Sequence, residues 1–190
     1  MHALLLAFLS GAPALVYQLV WTREVALLAG VQIDSIATVV AAFFGGLALG
    51  SRVLGARVDA SRRPLRFYGA LEIAAAALAV VATLALRALD AHGPGSSVGM
   101  LAACAAAMFP VTFLLGGTQP ALLRSTGAIA DAAAAPAGAI QGINTLGAVV
   151  GVALAAFAIP TVGLWTTLVA GAGCAALVGA LGLVALAQAA

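Results

Sequence analysis

The amino-acid sequence predicts an all-α integral membrane protein with six transmembrane helices. Of its 190 residues, 64% are hydrophobic and only 7% are charged, whereas about 25% of the residues of an ordinary soluble domain are charged. The mean hydropathy is +1.18. The apolar residues also fall into runs of about 20, the length that a helix needs to cross a bilayer core of about 30 Å.

Six apolar runs predict the helices, and together they form a single transmembrane domain over residues 1–190. The predicted helices cover residues 3–22, 35–56, 66–89, 98–117, 137–159 and 163–188. The first run predicts an uncleaved helix rather than a signal peptide, because no Lys or Arg precedes it and the apolar residues continue through Val20.

Polar and turn-forming residues separate the predicted helices. Asp34 and Ser35 can cap the second helix, and Pro120 is expected to follow the end of the fourth. The connection over 120–136 is the longest and that over 160–163 the shortest. The other three connections are the segment 23–34, the polar turn at 59–64 and the segment 90–97, which contains Gly93-Pro94-Gly95.

The arginines predict the orientation in the membrane, because cytoplasmic loops carry an excess of basic residues. Arg124 and five other arginines fall on one side of the membrane. The five surround the second connection and are Arg52, Arg57, Arg62, Arg63 and Arg66. Arg23 and Arg87 fall on the opposite side. Both termini are therefore predicted to be cytoplasmic, with Trp21 and Trp165 at the outer interface. The formal net charge of +2 is too small and too scattered to indicate a nucleic-acid partner.

Glycines four residues apart mark the second and fifth predicted helices. The pairs are Gly46 with Gly50 and, in the fifth helix, Gly138 with Gly142 and Gly147 with Gly151. Such spacing lets helix backbones approach closely. The second and fifth helices hold equivalent places in a 3+3 arrangement, so the pattern suggests a pseudo-repeat resembling half of a major facilitator transporter.

Glu72 is the candidate intramembrane site. It lies six residues beyond Arg66, or roughly 9 Å into the third helix. Arg52, at a similar depth on the neighbouring helix, is its predicted partner. Three interpretations remain open: a structural ion pair, a proton or cation site, and simple proximity to the lipid headgroups.

Other polar residues lie near or inside the predicted spans. They either hydrogen-bond between helices or line a substrate path. The candidates are Tyr17, Gln18 and Arg23 in the first helix, Gln119 at the end of the fourth, and Gln141 and Asn144 in the fifth.

Asp59, Arg62 and Arg63 form the candidate loop clamp between the second and third helices. An acid followed by arginines can hold neighbouring helix ends together, although positive-inside topology alone also accounts for the arginines. The sequence predicts no catalytic residue, metal site or cofactor, since it has no nucleophile pair, no nucleotide-binding motif and only isolated His residues.

Several motifs resemble the membrane domain of the bacterial fused major facilitator/spermidine synthase-like proteins. The strongest are the Tyr-Gln-x-x-Trp-x-Arg run at 17–23 and the Asn-Thr-Leu-Gly-Ala run at 144–148. The resemblance extends over nearly the whole chain. Further matching residues are the run at 43–51, Asp59, Pro64-Leu65, Tyr68, Leu71-Glu72, the run at 117–120, Gly151, Pro160 and Gly163.

The chain departs from this family at Gln119, where leucine is usual, and at Gln141, where tyrosine is usual. The synthase-like domain is expected to be absent, so the resemblance implies no aminopropyltransferase activity for this chain. It implies a multi-pass protein of the bacterial cytoplasmic membrane.

Three functions remain open at this point. The first is a non-catalytic membrane anchor or scaffold for a separate spermidine synthase-like enzyme. The second is a transporter-like unit for a polyamine or another small molecule, which would need a second copy or a partner to enclose a path. The third is an accessory subunit of a larger membrane complex. The expected partners are thus the lipid bilayer and another protein chain.

Overall fold

Five long α-helices make up the part of the chain that the structure describes. The computed structural model describes residues 2–30, 32–92, 96–126 and 134–184. The helices are α1 (His2–Ala29), α2 (Gln32–Asp59), α3 (Pro64–His92), α4 (Ser97–Ser125) and α5 (Ala134–Val184). All five are long and apolar enough to cross a membrane. The all-helical fold class is therefore confirmed for the described residues, and their apolar helices suggest a membrane protein.

The described residues form five helices rather than the predicted six. The fifth and sixth predicted helices belong to one helical segment, α5, which leaves helical geometry only at Gly163 (φ 85°, ψ 167°). The connection predicted at 160–163 is so short that helical hydrogen bonding continues almost to the glycine from either side. This backbone conformation is one that glycine adopts without steric cost.

The two parts of α5 run in opposite directions along α1. Before Gly163, Gly147 lies against Phe8 and Gly151 against Ala12, so the two helices run in parallel. Beyond Gly163, Gly171 lies against Val16 and Tyr17, and the Cys174 thiol approaches the carbonyl oxygen of Leu9 at 3.9 Å. The residue order along α1 is therefore reversed, and the chain turns back at Gly163.

The helix bounds differ from the predicted ones mainly by extension. α1 continues beyond Trp21 to Ala29, and α4 continues through Pro120 to Ser125. Pro120 was expected to end α4, but helices in a bundle tolerate proline where neighbouring groups satisfy the freed backbone. α2 begins at Gln32, so Asp34 lies in its first turn rather than before it.

α4 begins with a side-chain cap, since Ser96 Oγ accepts a hydrogen bond from the Gly99 amide at 3.2 Å. The Gly93-Pro94-Gly95 turn, the connection over 127–133 and the end of the last predicted helix beyond Val184 lie outside the described residues.

The helices pack in pairs around two buried cores. α1 packs mainly on α5, α2 on α4, and α3 on both α4 and α5. The larger core contains Tyr17, Trp21, Leu86, Met108 and Leu168, and the smaller contains Leu6, Val58, Tyr68, Leu122 and Val178. Large apolar side chains also cover the outside: Leu27, Ile33 and Phe157 are each more than 70% exposed. Such a surface suits contact with lipid.

Candidate functional site

Glu72 lies in the interior of the bundle. It is on α3 and has no exposed surface. The Ser10 hydroxyl of α1 donates a hydrogen bond to its Oε1 atom, and the side chain of Tyr68, one turn earlier on α3, adjoins the same carboxyl. Gly179 of α5 lies against the Glu72 Cβ. Three helices therefore enclose this carboxyl.

Two buried polar atoms at this site have no hydrogen-bond partner among the described residues. They are Glu72 Oε2 and the hydroxyl of Tyr17. The Tyr68 hydroxyl donates to the carbonyl oxygen of Leu6 at 3.3 Å. Buried polar atoms are normally paired, so each exception requires an explanation.

The structure does not bring Arg52 to Glu72. Arg52 is exposed on the outside of α2, whereas Glu72 faces α1 and α5, and α2 contacts α3 only slightly. The predicted pairing assumed that consecutive helices pack against each other. Here α2 packs instead on α4, so the residue that meets Glu72 is Ser10.

A cavity of about 290 Å³ lies between α1, α2, α4 and the first part of α5. Phe43, Phe44 and Leu47 supply part of its apolar wall. Its polar lining consists of Ser10, Thr118, Gln119, Gln141, Asn144 and Thr145. These are hydroxyl and amide groups, and no charged side chain is among the described residues that line it.

Three of the predicted polar candidates meet in this cavity: Gln119, Gln141 and Asn144. The Asn144 amide donates to the carbonyl oxygen of Ala7 at 3.0 Å, which also joins α5 to α1. Gln119 Oε1 is buried and has no partner in the described part of the chain. Ser10 lines the cavity as well as bonding to Glu72, so it lies between the two.

The remaining candidates on α1 do not form one site. Tyr17 is buried beside Trp21, with ring centroids 5.7 Å apart. Trp21 is fully buried in the bundle, and its Nε1 donates to Thr83 Oγ1 at 2.9 Å. Gln18 is half-buried, and Arg23 is exposed at a surface cleft with Leu27 and Pro160.

An ion pair that the sequence pattern did not predict lies at the predicted outer end of the bundle. The Arg87 guanidinium of α3 donates to Glu24 Oε1 at 2.8 and 3.2 Å and lies 5.0 Å from the ring centre of Trp165. The first helix was predicted to end at residue 22, which excluded Glu24 from the span. Glu24 and Arg87 lie near the same predicted end of the first and third helices, and this shared position could have indicated the pair.

The loop clamp is not formed by ion pairs. Asp59, Arg62 and Arg63 are all exposed, and the salt bridge found among the described residues is that of Arg87 with Glu24. The turn is shaped instead by Ser61, whose hydroxyl accepts a hydrogen bond from the Arg63 amide at 3.2 Å. No group of three metal-ligating side chains occurs within the described ranges.

No protein-family model, curated protein or solved structure matches this chain.

Proposed function

We propose that this chain is a transporter-like membrane unit whose cavity binds a small, uncharged polar molecule. The cavity between four helices is the observation that supports this most. It is lined by amide and hydroxyl groups, which bind polar molecules by hydrogen bonds, within otherwise apolar walls.

The absence of charge in the described lining disfavours a polyamine. A multiply charged cation in a low-dielectric path needs carboxylates to offset its desolvation. Glu72 lies behind Ser10, and Glu24 is already paired with Arg87. A neutral polar solute needs no such charges.

The proposed unit crosses the membrane six times, as a 3+3 inverted repeat like half of a major facilitator transporter. The reversal at Gly163 supports the six crossings. A continuous helix of 48 residues would be about 72 Å long, more than twice the bilayer core. With an odd number of helices in each half, the second half has the opposite orientation in the membrane.

Equivalent close contacts between two helix pairs support the repeat. Gly11 of α1 lies against the carbonyl of Asn144, and Gly116 of α4 lies against the carbonyl of Leu47. In each pair the same glycine also approaches a backbone amide four residues further on, that of Ala148 in one pair and that of Ser51 in the other.

A second set of contacts follows the same correspondence. Gly147 lies against the Phe8 carbonyl and Gly50 against the Phe113 carbonyl. The sequence separation of Phe8 from Phe113 equals that of Gly11 from Gly116. The α1–α5 contact and the α4–α2 contact therefore use matching positions, as two copies of one three-helix unit would.

One copy leaves the cavity open at one side, because Phe44, Gln141 and Thr145 are exposed. A second copy or a partner chain would complete the wall. The distribution of the arginines supports a cytoplasmic position, in a bacterial cell, for the α2–α3 connection and both termini of the proposed unit.

Ligand-dependent thermal stability in detergent tests the proposed binding. Neutral polar solutes smaller than the cavity and spermidine would each be added to the purified protein. At least one neutral solute is expected to raise the unfolding temperature, since binding to the folded state stabilises it. Gln119→Ala should reduce that shift. Stabilisation by spermidine alone would contradict the proposal.

The second candidate function is a scaffold for a cytosolic synthase-like enzyme. It is supported by the sequence resemblance and by the exposed arginines of the α2–α3 connection, among them Arg57, Arg62 and Arg63. Pull-down in mild detergent distinguishes the two functions. A synthase-like enzyme recovered in equal amount favours the scaffold, and an unrelated membrane complex favours an accessory subunit.

A further inference from the structure

The position of Ser10 connects two features that the proposed function does not combine. Its hydroxyl bonds to Glu72, and its side chain also lines the cavity. Glu72 itself has no exposed surface. A proton that moves between the cavity and Glu72 therefore has a direct route through one hydroxyl group.

We infer that Glu72 exchanges a proton with water in the cavity and that Ser10 is the relay. In the forward direction the Ser10 O–H gives its proton to the Glu72 carboxylate. Ser10 Oγ takes a proton from a hydronium ion in the cavity at the same time, leaving a water molecule. The products are a neutral carboxylic acid, an unchanged serine and water, so charge and atoms balance.

The surroundings of Glu72 suit a group that changes its protonation state. Ionisable residues inside membrane spans commonly serve as proton relays. As a carboxylate, Glu72 has a donor on Oε1 but none on Oε2 among the described residues. As an acid protonated on Oε1, where the relay delivers the proton, Glu72 can bond to Ser10 Oγ but still has no partner on Oε2 among those residues. Neither the carboxylate nor the carboxylic acid has all its hydrogen bonds satisfied by its neighbours, so the neighbours do not hold Glu72 in one protonation state.

No described cation fixes the charge on Glu72. The titratable groups that interact with it are Tyr17 of α1, Tyr68 of α3 and Cys174 of α5. None of them carries a positive charge. Arg87, about 22 Å further along the same helix, is paired with Glu24. The neighbouring groups therefore do not fix Glu72 in its charged form.

Infrared spectroscopy of the protein in lipid vesicles tests this inference directly. Difference spectra between the wild type and Glu72→Gln isolate the carboxyl signal of Glu72. We expect that signal to change from carboxylic acid to carboxylate as the pH of the medium rises. Glu24→Gln is the control, and the signal should persist in that variant. A Glu72 signal that stays in one form at every pH where the protein remains folded overturns the inference.

The role of Ser10 is tested by the rate of hydrogen–deuterium exchange at the acid. Ser10→Ala should slow the shift of the carboxyl band in heavy water by about tenfold. Ser10→Thr keeps a hydroxyl group and should restore the rate, which a purely structural role would not require. Equal rates in the wild type and in Ser10→Ala would exclude the relay.

A labelling experiment keeps the test independent of Glu72→Gln folding. Dicyclohexylcarbodiimide, an apolar reagent, modifies protonated carboxyl groups. Mass spectrometry of the labelled wild-type protein should find the adduct on Glu72, with less adduct as the pH rises. Labelling of Glu24 but not of Glu72 would contradict the inference. None of these three experiments requires solute flux. The inference can therefore fail while the proposed function holds, and the proposed function can fail while the inference holds.

Discussion

Gly69 of α3 and Gly179 of α5 face each other so closely that a Cβ on either one would overlap the backbone oxygen of the other. Each also touches a branched residue four positions from its partner, Leu183 in one case and Ile73 in the other. The contact is thus symmetric, and it lies where the axis of the proposed repeat would relate α3 to the second part of α5.

Substitution of Gly179 by Ala should destabilise the bundle. The added methyl group meets backbone, which cannot move aside as a flexible side chain would, and overpacking typically costs about 1–3 kcal/mol. Thermal unfolding in detergent, followed by tryptophan fluorescence, measures the effect. Gly173→Ala is the matched control, because nothing lies within 4 Å of a Cβ there. Equal unfolding temperatures for both variants would refute the close contact.

The two partners of the Glu24–Arg87 ion pair should respond unequally to substitution. The Glu24 side chain is 9% exposed and that of Arg87 is 41% exposed. Arg87→Met leaves a carboxylate buried without its partner, whereas Glu24→Gln leaves a guanidinium that can turn towards solvent. We expect the free energy of unfolding to fall by about 1 kcal/mol more in Arg87→Met than in Glu24→Gln. This figure allows for the exposure of Arg87.

Unfolding of the two single variants and of the double variant measures this pair. The double variant should lose less stability than the sum of the single variants, because it removes both charges together. Simple additivity would show that the pair contributes nothing.

Removal of the Thr83 hydroxyl should weaken the packing of α1 on α3. Thr83→Val preserves the shape but leaves the buried Trp21 N–H without its acceptor, and an unsatisfied buried group costs about 1–3 kcal/mol. In a Trp21→Phe background, which has no indole N–H, Thr83→Val should then have little further effect. As a control, Thr161→Val alters an exposed hydroxyl that bonds only within its own helix. The free energy of unfolding of each variant is the measurement.

Single cysteines should show that the α2–α3 connection and the bend of α5 lie on opposite sides of the membrane. Ala60→Cys and Thr161→Cys, both at exposed positions, would be placed in a background with Cys104 and Cys174 replaced by Ala. A membrane-impermeant maleimide applied to intact cells should label position 161 and not position 60. Labelling of both or only of position 60 would contradict the proposed orientation.

The sequence was sufficient to predict the helical membrane fold class because apolar runs of bilayer length leave few alternatives. It predicted the break at 160–163 but not that the helices on either side would continue to Gly163 as the one helical segment α5. It also could not give the helix neighbours. Arg52 was paired with Glu72 on the assumption that consecutive helices pack together, and that assumption failed when α2 packed on α4.

The candidate site could be predicted only in part. Gln119, Gln141 and Asn144 were identified because polar residues are unusual inside apolar spans, and the structure places all three at one cavity. Ser10 was missed, because a single hydroxyl carries no signal until its neighbour is known. Glu24 was missed because the first helix was predicted to end at residue 22, before this acid.

Uptake of polar solutes into vesicles containing the purified protein tests the proposed transport function most directly. At least one radiolabelled neutral solute smaller than the cavity should enter faster than into protein-free vesicles. Thr145→Trp, which fills the lined cavity, should abolish that uptake, while Thr161→Trp on the same helix should leave it intact. Uptake equal to that of protein-free vesicles for every neutral solute would contradict the account.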